Sequence, residues 1–260
     1  MAARIDFNSD IGESFGAYKL GYDEEIVKYV TSVNIACGFH AGDPGWMRKT
    51  VGMAEERGVS VGAHPSYPDL HGFGRRDISV TPQEAKDDVT YQIGALTAFT
   101  QSKKLQHVKL HGAIYNMAVK GGDLAKAVTE AVQEVDPDLA MIILAEMPWV
   151  DIAQKMGVRV AREVFADRAL NADGTLVSRT LPGSVIHDVN EVVERSIRMV
   201  TEGKAIAITG EEIQVEADTI CLHGDTPGAV DMAKALNTGF KAAGVEIVPL
   251  GKLLSVRGLV

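Results

Sequence analysis

Four of the seven histidines stand where an apolar run gives way to a turn. His40 closes NIACGFH, His64 closes VSVGAH, His111 closes HVKLH and His223 closes TICLH; the residues that follow are AGDP, PSYPD, GAIY and GDTP. Imidazole titrates near neutral pH and ligates metals, so four of them delivered to strand ends suit acid–base work or a metal site. Carboxylates accompany them. The segment IDFNSDIGES (5–14) sets Asp6, Asn8 and Asp10 at alternate positions, with Glu13 just beyond. Period-two spacing puts the first three on one face of a strand. The competing reading is an Asx-rich turn capping a helix over 23–32. Asp10, Glu13, His40, His64, His111 and His223 are the candidate catalytic groups.

Two loops carry cations that would suit an anionic substrate. GAHPSYPDLHGFGRRD (62–77) holds Tyr67, Asp69, His71, Arg75 and Arg76, and SRTLPGSVIHD (178–188) holds Arg179 beside a Pro-Gly turn. Guanidinium groups bind carboxylate or phosphate through paired hydrogen bonds; the bland alternative is a solvated charged loop. With Asn8, Asp43, Tyr67 and Lys109, these arginines (Arg75, Arg76, Arg179) make up the candidate substrate-binding set. Lys109 lies two residues before His111, and its side chain points opposite to those of Val108 and Leu110. Cys37 and Cys221 read as buried thiols, with a Cys–His nucleophile the minority alternative. The chain contains no phosphate-binding P-loop, no strand-linked G-x-G-x-x-G, no nucleophile elbow, no C-x-x-C and no H-E-x-x-H.

These groups need a scaffold that gathers strand ends. EERGVSVGAH (55–64), QKMGVRVARE (154–163) and KAAGVEIVPL (241–250) each read as helix, glycine, strand, a repeated junction expected of parallel α/β architecture. Thr81-Pro82 with Glu84 forms a capping box, and Asp43-Pro44 and Thr226-Pro227 repeat the cap-then-proline signal. Barrel strands are expected near 4–8, 33–37, 59–63, 107–110, 140–145, 160–164 and 219–222, with 245–248 an eighth strand or an edge. Small hairpins are expected within 171–179 and 205–217. The fold expected is one α/β domain over residues 1–260, a β/α barrel of about seven parallel strands, whose C-terminal strand ends open on one face.

The bulk numbers fit. At 260 residues, 46% hydrophobic and 23% charged, the chain is of the size and make-up of a one-domain barrel. A net charge of -9 disfavours nucleic acid and anionic membranes as partners. Two cysteines point to a reducing compartment. No apolar stretch suits a signal peptide or a membrane span, so a cytoplasmic protein with a small-molecule substrate is expected.

DFNSDIGESFG, NIACGFHAGDP, GAHPSYPDLHGFGRR, KLHGAIYN, EVFADRAL, SRTLPGSVIHD and CLHGDTPGAV, in that order over residues 6–230, resemble the successive blocks of the LamB/YcsF family. The resemblance implies an irregular barrel of the glycoside hydrolase/deacetylase type. It implies one component of an ATP-dependent 5-oxoprolinase, which opens the lactam of 5-oxo-L-proline to L-glutamate with ATP as co-substrate, alongside partner subunits B and C. In related barrel deacetylases an aspartate and two histidines bind a divalent metal, and the positional matches here are Asp10, His40 and His64. The alternatives are a metal-dependent carbohydrate deacetylase or a non-catalytic substrate-binding subunit; homo-oligomerisation is left open.

Overall fold

The structure, a computed structural model, describes residues 3–224 and 226–256. The elements run β1 (Arg4–Ile11), α1 (Asp23–Ile26), β2 (Ser32–Ala36), α2 (Pro44–Glu55), β3 (Ser60–His64) and α3 (Pro82–Thr97). They continue with β4 (His107–Val108), α4 (Gly112–Ala118), α5 (Gly122–Val135), β5 (Ala140–Leu144), α6 (Pro148–Lys155), β6 (Arg159–Phe165) and α7 (Val189–Glu202). The remainder is β7 (Lys204–Ile206), β8 (Glu212–Gln214), β9 (Thr219–His223), α8 (Ala229–Ala242), β10 (Glu246–Ile247) and α9 (Leu250–Val256).

Seven strands, β1-β2-β3-β4-β5-β6-β9, pair in parallel, and β9 returns to β1 to close the barrel. β10 pairs only with Arg4 and Ile5, below the point where β9 takes over at Asp6. The 245–248 segment is therefore an edge at the base rather than an eighth stave. β7 and β8 form the expected hairpin outside the barrel. Around Asp173-Gly174 there is a turn closed by Asn171 N–H to Thr175 O at 2.8 Å, but pairing is limited to a bridge between Leu170 and Leu176.

Local chemistry explains the element ends. Thr81 accepts from the Glu84 amide while the Glu84 carboxylate accepts from the Thr81 amide, with Pro82 in the first turn. Gly58, Gly157 and Gly244 sit at φ of 67, 82 and 72°, where a Cβ would be strained, and each turns a helix into the next strand. Two expectations fail. Helix α1 is a four-residue turn, not a helix to 32. Thr226 does not cap α8, because its hydroxyl donates to Asp167 at 3.3 Å and the helix starts three residues later with Gly228 as its cap.

The apolar core lies between the outer faces of the strands and the helices, with Phe7, Ile35, Ile93, Leu96, Ile143 and Phe240 all fully buried. The barrel interior is divided: Ala140, Ile142 and Ala161 pack with Leu250 and Leu254 in a small apolar cluster of their own, and the side built on β1 is polar. Asp6, Asn8 and Asp10 of β1 point inward and bond Ser32, Asn34, Thr219 and Glu163 from neighbouring strands. A buried polar group is tolerated when its bonds are met, and this network meets them in sequence. The His107 ring bonds Asn34 Oδ1 at 2.7 Å, and the Asn34 amide donates to Asn8 and Asp10 at 2.8 Å each. Asn8 in turn donates to Thr219 at 2.7 Å, and Thr219 donates to Asp6 at 2.6 Å.

Candidate functional site

The strand ends open into a cleft of about 990 Å³, lined by Asp10, His64, Lys109, His111, Tyr115, Phe165 and His223 at its floor and by Arg75, Arg168, Asn171, Ser178 and Arg179 higher up. β1 supplies Asp10, β3 ends in His64, the residues after β4 supply Lys109 and His111, and β9 ends in His223. Parallel pairing brings these far-separated residues to one mouth.

Asp10 occupies the centre. Its Oδ1 accepts from Lys109 Nζ at 2.9 Å and Asn34 Nδ2 at 2.8 Å; its Oδ2 lies 3.3 Å from His64 Nε2 and 4.0 Å from His223 Nε2. Burial alone would raise this carboxyl, but the charges of His64 and Lys109 outweigh it and hold the group well below the usual carboxylate range. On the other side of the floor, His223 Nδ1 sits 3.0 Å from both oxygens of buried Asp167. Burial of Asp167 is again outweighed, here by His223, so that carboxylate stays ionised. The pair is an imidazole oriented by an acid, the arrangement expected of a general acid–base.

A second cluster adjoins Asp10. Glu13, His40, His64 and His111 offer ligand atoms that all lie within 4.8 Å of one another. His40 and His111 stack with ring centroids 3.8 Å apart, and Phe73 stands edge-on to both. His64 Nδ1 donates to Lys109 O at 2.7 Å and His111 Nε2 donates to Phe73 O at 2.9 Å. With those protons committed, the 3.0 Å approach of His64 Nε2 to His111 Nδ1 is met either by a second proton on His64 or by a cation between the two rings. Burial, then the charge of neighbouring imidazoles, pushes His40 and His111 well below the ordinary histidine range, so both are neutral. A cation in that gap would also meet the Glu13 carboxylate and the His40 ring. Three imidazoles and one carboxylate with carbonyl-anchored rings are a donor set suited to a divalent transition metal. The residues thus fit the divalent metal expected from the sequence resemblance. Asp10, expected among its ligands, lies beside the set, tied to Lys109; Glu13 and His111 join His40 and His64 instead.

Several other sequence candidates stand elsewhere. Asn8 is inside the barrel wall, with its amide on Thr219 and Glu163. Asp43 caps α2, accepting from the Trp46 amide at 2.9 Å and the Gly16 amide at 2.7 Å. Tyr67 is fully buried, and its hydroxyl donates to Met117 Sδ at 3.6 Å. Arg76 points to solvent and is locked onto Asp69 by paired bonds. Lys109 reaches the cleft, but its three protons are spent on Asp10 and Glu163 at 2.9 Å each and on Cys221 Sγ at 3.0 Å. It positions Asp10 rather than holding a ligand. Arg75 and Arg179 do line the cleft. Burial pushes the Cys37 thiol up to about 12 and the Cys221 thiol well above its usual value, which removes the Cys–His nucleophile.

Sequence reasoning overlooked Glu163, Tyr115, Asp167, Arg168, His107 and Asn34. Glu163, fully buried, accepts from Lys109 and from the Tyr115 hydroxyl at 2.8 Å. The available signal was EVFADR itself, in which charged residues flank the end of an apolar strand.

A closed seven-strand parallel barrel with an imidazole–carboxylate cluster at its C-terminal mouth defines a β/α-barrel protein of the deacetylase type. The LamB/YcsF family profile matches residues 5–255, and the chain belongs to that family. It is 54% identical over 253 residues to the A chain of 5-oxoprolinase from Pyrococcus horikoshii, covering 96% of this chain and 99% of that one. It is 51% identical over 249 residues to the Campylobacter jejuni protein of the same name, covering 95% and 98%. The crystal structure of the lactam utilization protein from Thermus thermophilus superposes with a TM-score of 0.89 at 45% identity, covering 95% of this chain and 99% of that one. Peptidoglycan deacetylase PdaC from Bacillus subtilis shares the fold alone, with a TM-score of 0.52 at 12% identity over 99% and 92% of the two chains.

Proposed function

We propose that this chain is the A component of an ATP-dependent 5-oxoprolinase, a cytoplasmic hydrolase domain whose cleft opens the lactam of 5-oxo-L-proline to L-glutamate. The observation that carries the reading is the floor of the cleft. An ionised Asp10 faces His64 and His223, and His223 is backed by Asp167. Lactam cleavage needs a nucleophilic water, a proton for the leaving nitrogen and stabilisation of negative charge on oxygen. Asp10 receives the water proton, with His64 Nε2 3.3 Å away beside it. His223, whose Nδ1–H is held by Asp167, delivers a proton from Nε2 to the ring nitrogen.

The amide is resonance-stabilised, and ATP supplies the drive. A phosphoryl group placed on the lactam oxygen activates the carbon. Water adds there, the ring C–N bond breaks as nitrogen takes its proton, and a second water releases phosphate from the acyl phosphate to leave glutamate. The chain has no P-loop, so phosphoryl transfer is assigned to partner subunits B and C, and ring opening to this cleft. Glu13, His40, His64 and His111 would hold a divalent ion, whose contribution when bound is Lewis-acid polarisation of a substrate oxygen.

The test is glutamate release by the purified chain, with and without the partner subunits, ATP and a chelator. Full turnover requires all the proteins and ATP. Asp10→Ala and His64→Ala should abolish it while the variants stay folded by circular dichroism. Undiminished turnover in either variant would refute the reading. Deacetylation of a carbohydrate by the chain alone, without ATP, would replace it.

A further inference from the structure

Among the described residues only two lysine or arginine side chains are buried, Lys109 at 2% exposure and Arg168 at 5%. Their surroundings differ. Lys109 touches two carboxylates. Arg168 touches none: its Nε donates to Ser184 O at 3.1 Å and its Nη2 to Val177 O at 2.6 Å, both neutral acceptors. The neighbouring carboxylate, Asp167, is taken up by His223 and Thr226. A buried charge without an opposite charge is costly, and hydrogen bonds to neutral groups offset its lost hydration only in part. Burial, then the like charge of Arg179, lowers the guanidinium to about 10 against the opposing pull of Asp167, and Arg75 adds to the lowering. Arg179 and Arg75 also line the cleft that Arg168 lines.

Among the described residues no carboxylate bonds the guanidinium directly, and it lines the cleft. Two carbonyls of the 177–184 segment fix the guanidinium plane, so little side-chain entropy remains to be lost when a ligand arrives. We infer that Arg168 is the anchor for the carboxylate of the substrate, and so the residue by which this cleft selects a lactam acid over a plain lactam. The inference rests on the lactam reading above and deepens it. It replaces Arg76 in the expected set by a residue at the cleft wall. Binding supplies a directly bonded counter-charge beyond the field of Asp167, and a ligand without the carboxylate does not.

The experiment is calorimetric titration of the full chain with 5-oxo-L-proline and with 2-pyrrolidinone, the same ring without the carboxylate. Wild type should bind the acid more tightly than the neutral ring. Arg168→Gln should weaken the acid by roughly 30-fold or more and leave 2-pyrrolidinone unchanged, so that the preference disappears. Thermal melts check that the variant is folded. Should Arg168→Gln unfold, Arg168→Lys, which loses the planar fork and keeps the charge, is read in its place, with a smaller loss for the acid alone. Equal binding of 5-oxo-L-proline by wild type and the folded variant overturns the role of Arg168 and leaves the lactam reading standing. Failure of wild type to bind either ring overturns both.

Discussion

Removing the Lys109 ammonium would leave Asp10 and Glu163, both buried, without the cation they share. Breaking a buried pair in this way costs about 3–5 kcal/mol. Lys109→Met should therefore unfold at distinctly lower urea than wild type. Lys109→Met combined with Glu163→Gln, which removes the stranded charge, should recover a good part of the loss; a double variant no more stable than the single would show that Glu163 is not coupled to the lysine. The pairing also shows where residue-level reading reaches its limit. His40, His64, His111 and His223 were legible because histidine after an apolar run is an uncommon combination with chemical meaning. Glu163 and Arg168 are ordinary charged residues in sequence. Only closure of β6 against β9 shows that one is sealed beneath the cleft and the other is buried with its bonds on carbonyls rather than on a carboxylate. Lys109 misled in the opposite direction, since position alone does not reveal that its protons are spent.

The loop between β3 and α3 decides how the imidazole cluster is held. Gly74 lies at φ 64°, and a Cβ there would run into Ser66 Oγ and lie only 2.8 Å from His40 Cβ. The close approach lets Phe73 O reach His111 and lets Gly74 O accept from the Ala113 amide at 2.8 Å. Asp69 fastens the loop, accepting from the Gly72 amide and from Arg76. Its carboxyl is lowered to about 2, first by the bond from Arg76. Gly74→Ala should push the loop off His111 and reduce glutamate release by the assembled enzyme by about 100-fold, the scale expected of a misplaced catalytic group. The measurement is kcat beside a thermal melt, and a folded variant with wild-type kcat would dismiss the loop as a positioning element. The paired arginines suggested anion binding from sequence. The structure divides them, because Arg75 turns into the cleft while Arg76 is claimed by Asp69. A separation of one residue in a turn reverses side-chain direction, and no periodicity records which way.

At the scale of the molecule, the barrel keeps most of its apolar packing outside the staves, with a hydrogen-bonded polar axis within beside a small apolar cluster of Ala140, Ile142, Ala161, Leu250 and Leu254. Asp6 is the base of that axis. Its carboxylate accepts from Thr31 at 2.8 Å, Ser32 at 2.6 Å and Thr219 at 2.6 Å, yet burial wins and its carboxyl is raised to about 6. The folded state therefore holds this proton more tightly than the unfolded chain, where the ordinary value is 3.8. Stability from this group is fully present below 3.8 and is lost as pH rises through about 6. Above that, the ionised group costs on the order of 2–3 kcal/mol. Asp10 and Asp167 carry the opposite sign and dominate acid unfolding, so the raw pH profile of wild type does not isolate Asp6. The difference from Asp6→Asn does, since asparagine keeps the shape and loses the titration. Urea unfolding at pH 4 should find the two proteins close in stability, and at pH 8 the variant more stable by about 2 kcal/mol. A difference that stays flat between those pH values would mean that the three hydroxyls fully offset the burial of the charge. The polar axis would then be neutral ground for stability, and the reason for building a barrel interior from Asp6, Asn8, Asn34 and His107 would have to be sought in what it positions at the mouth.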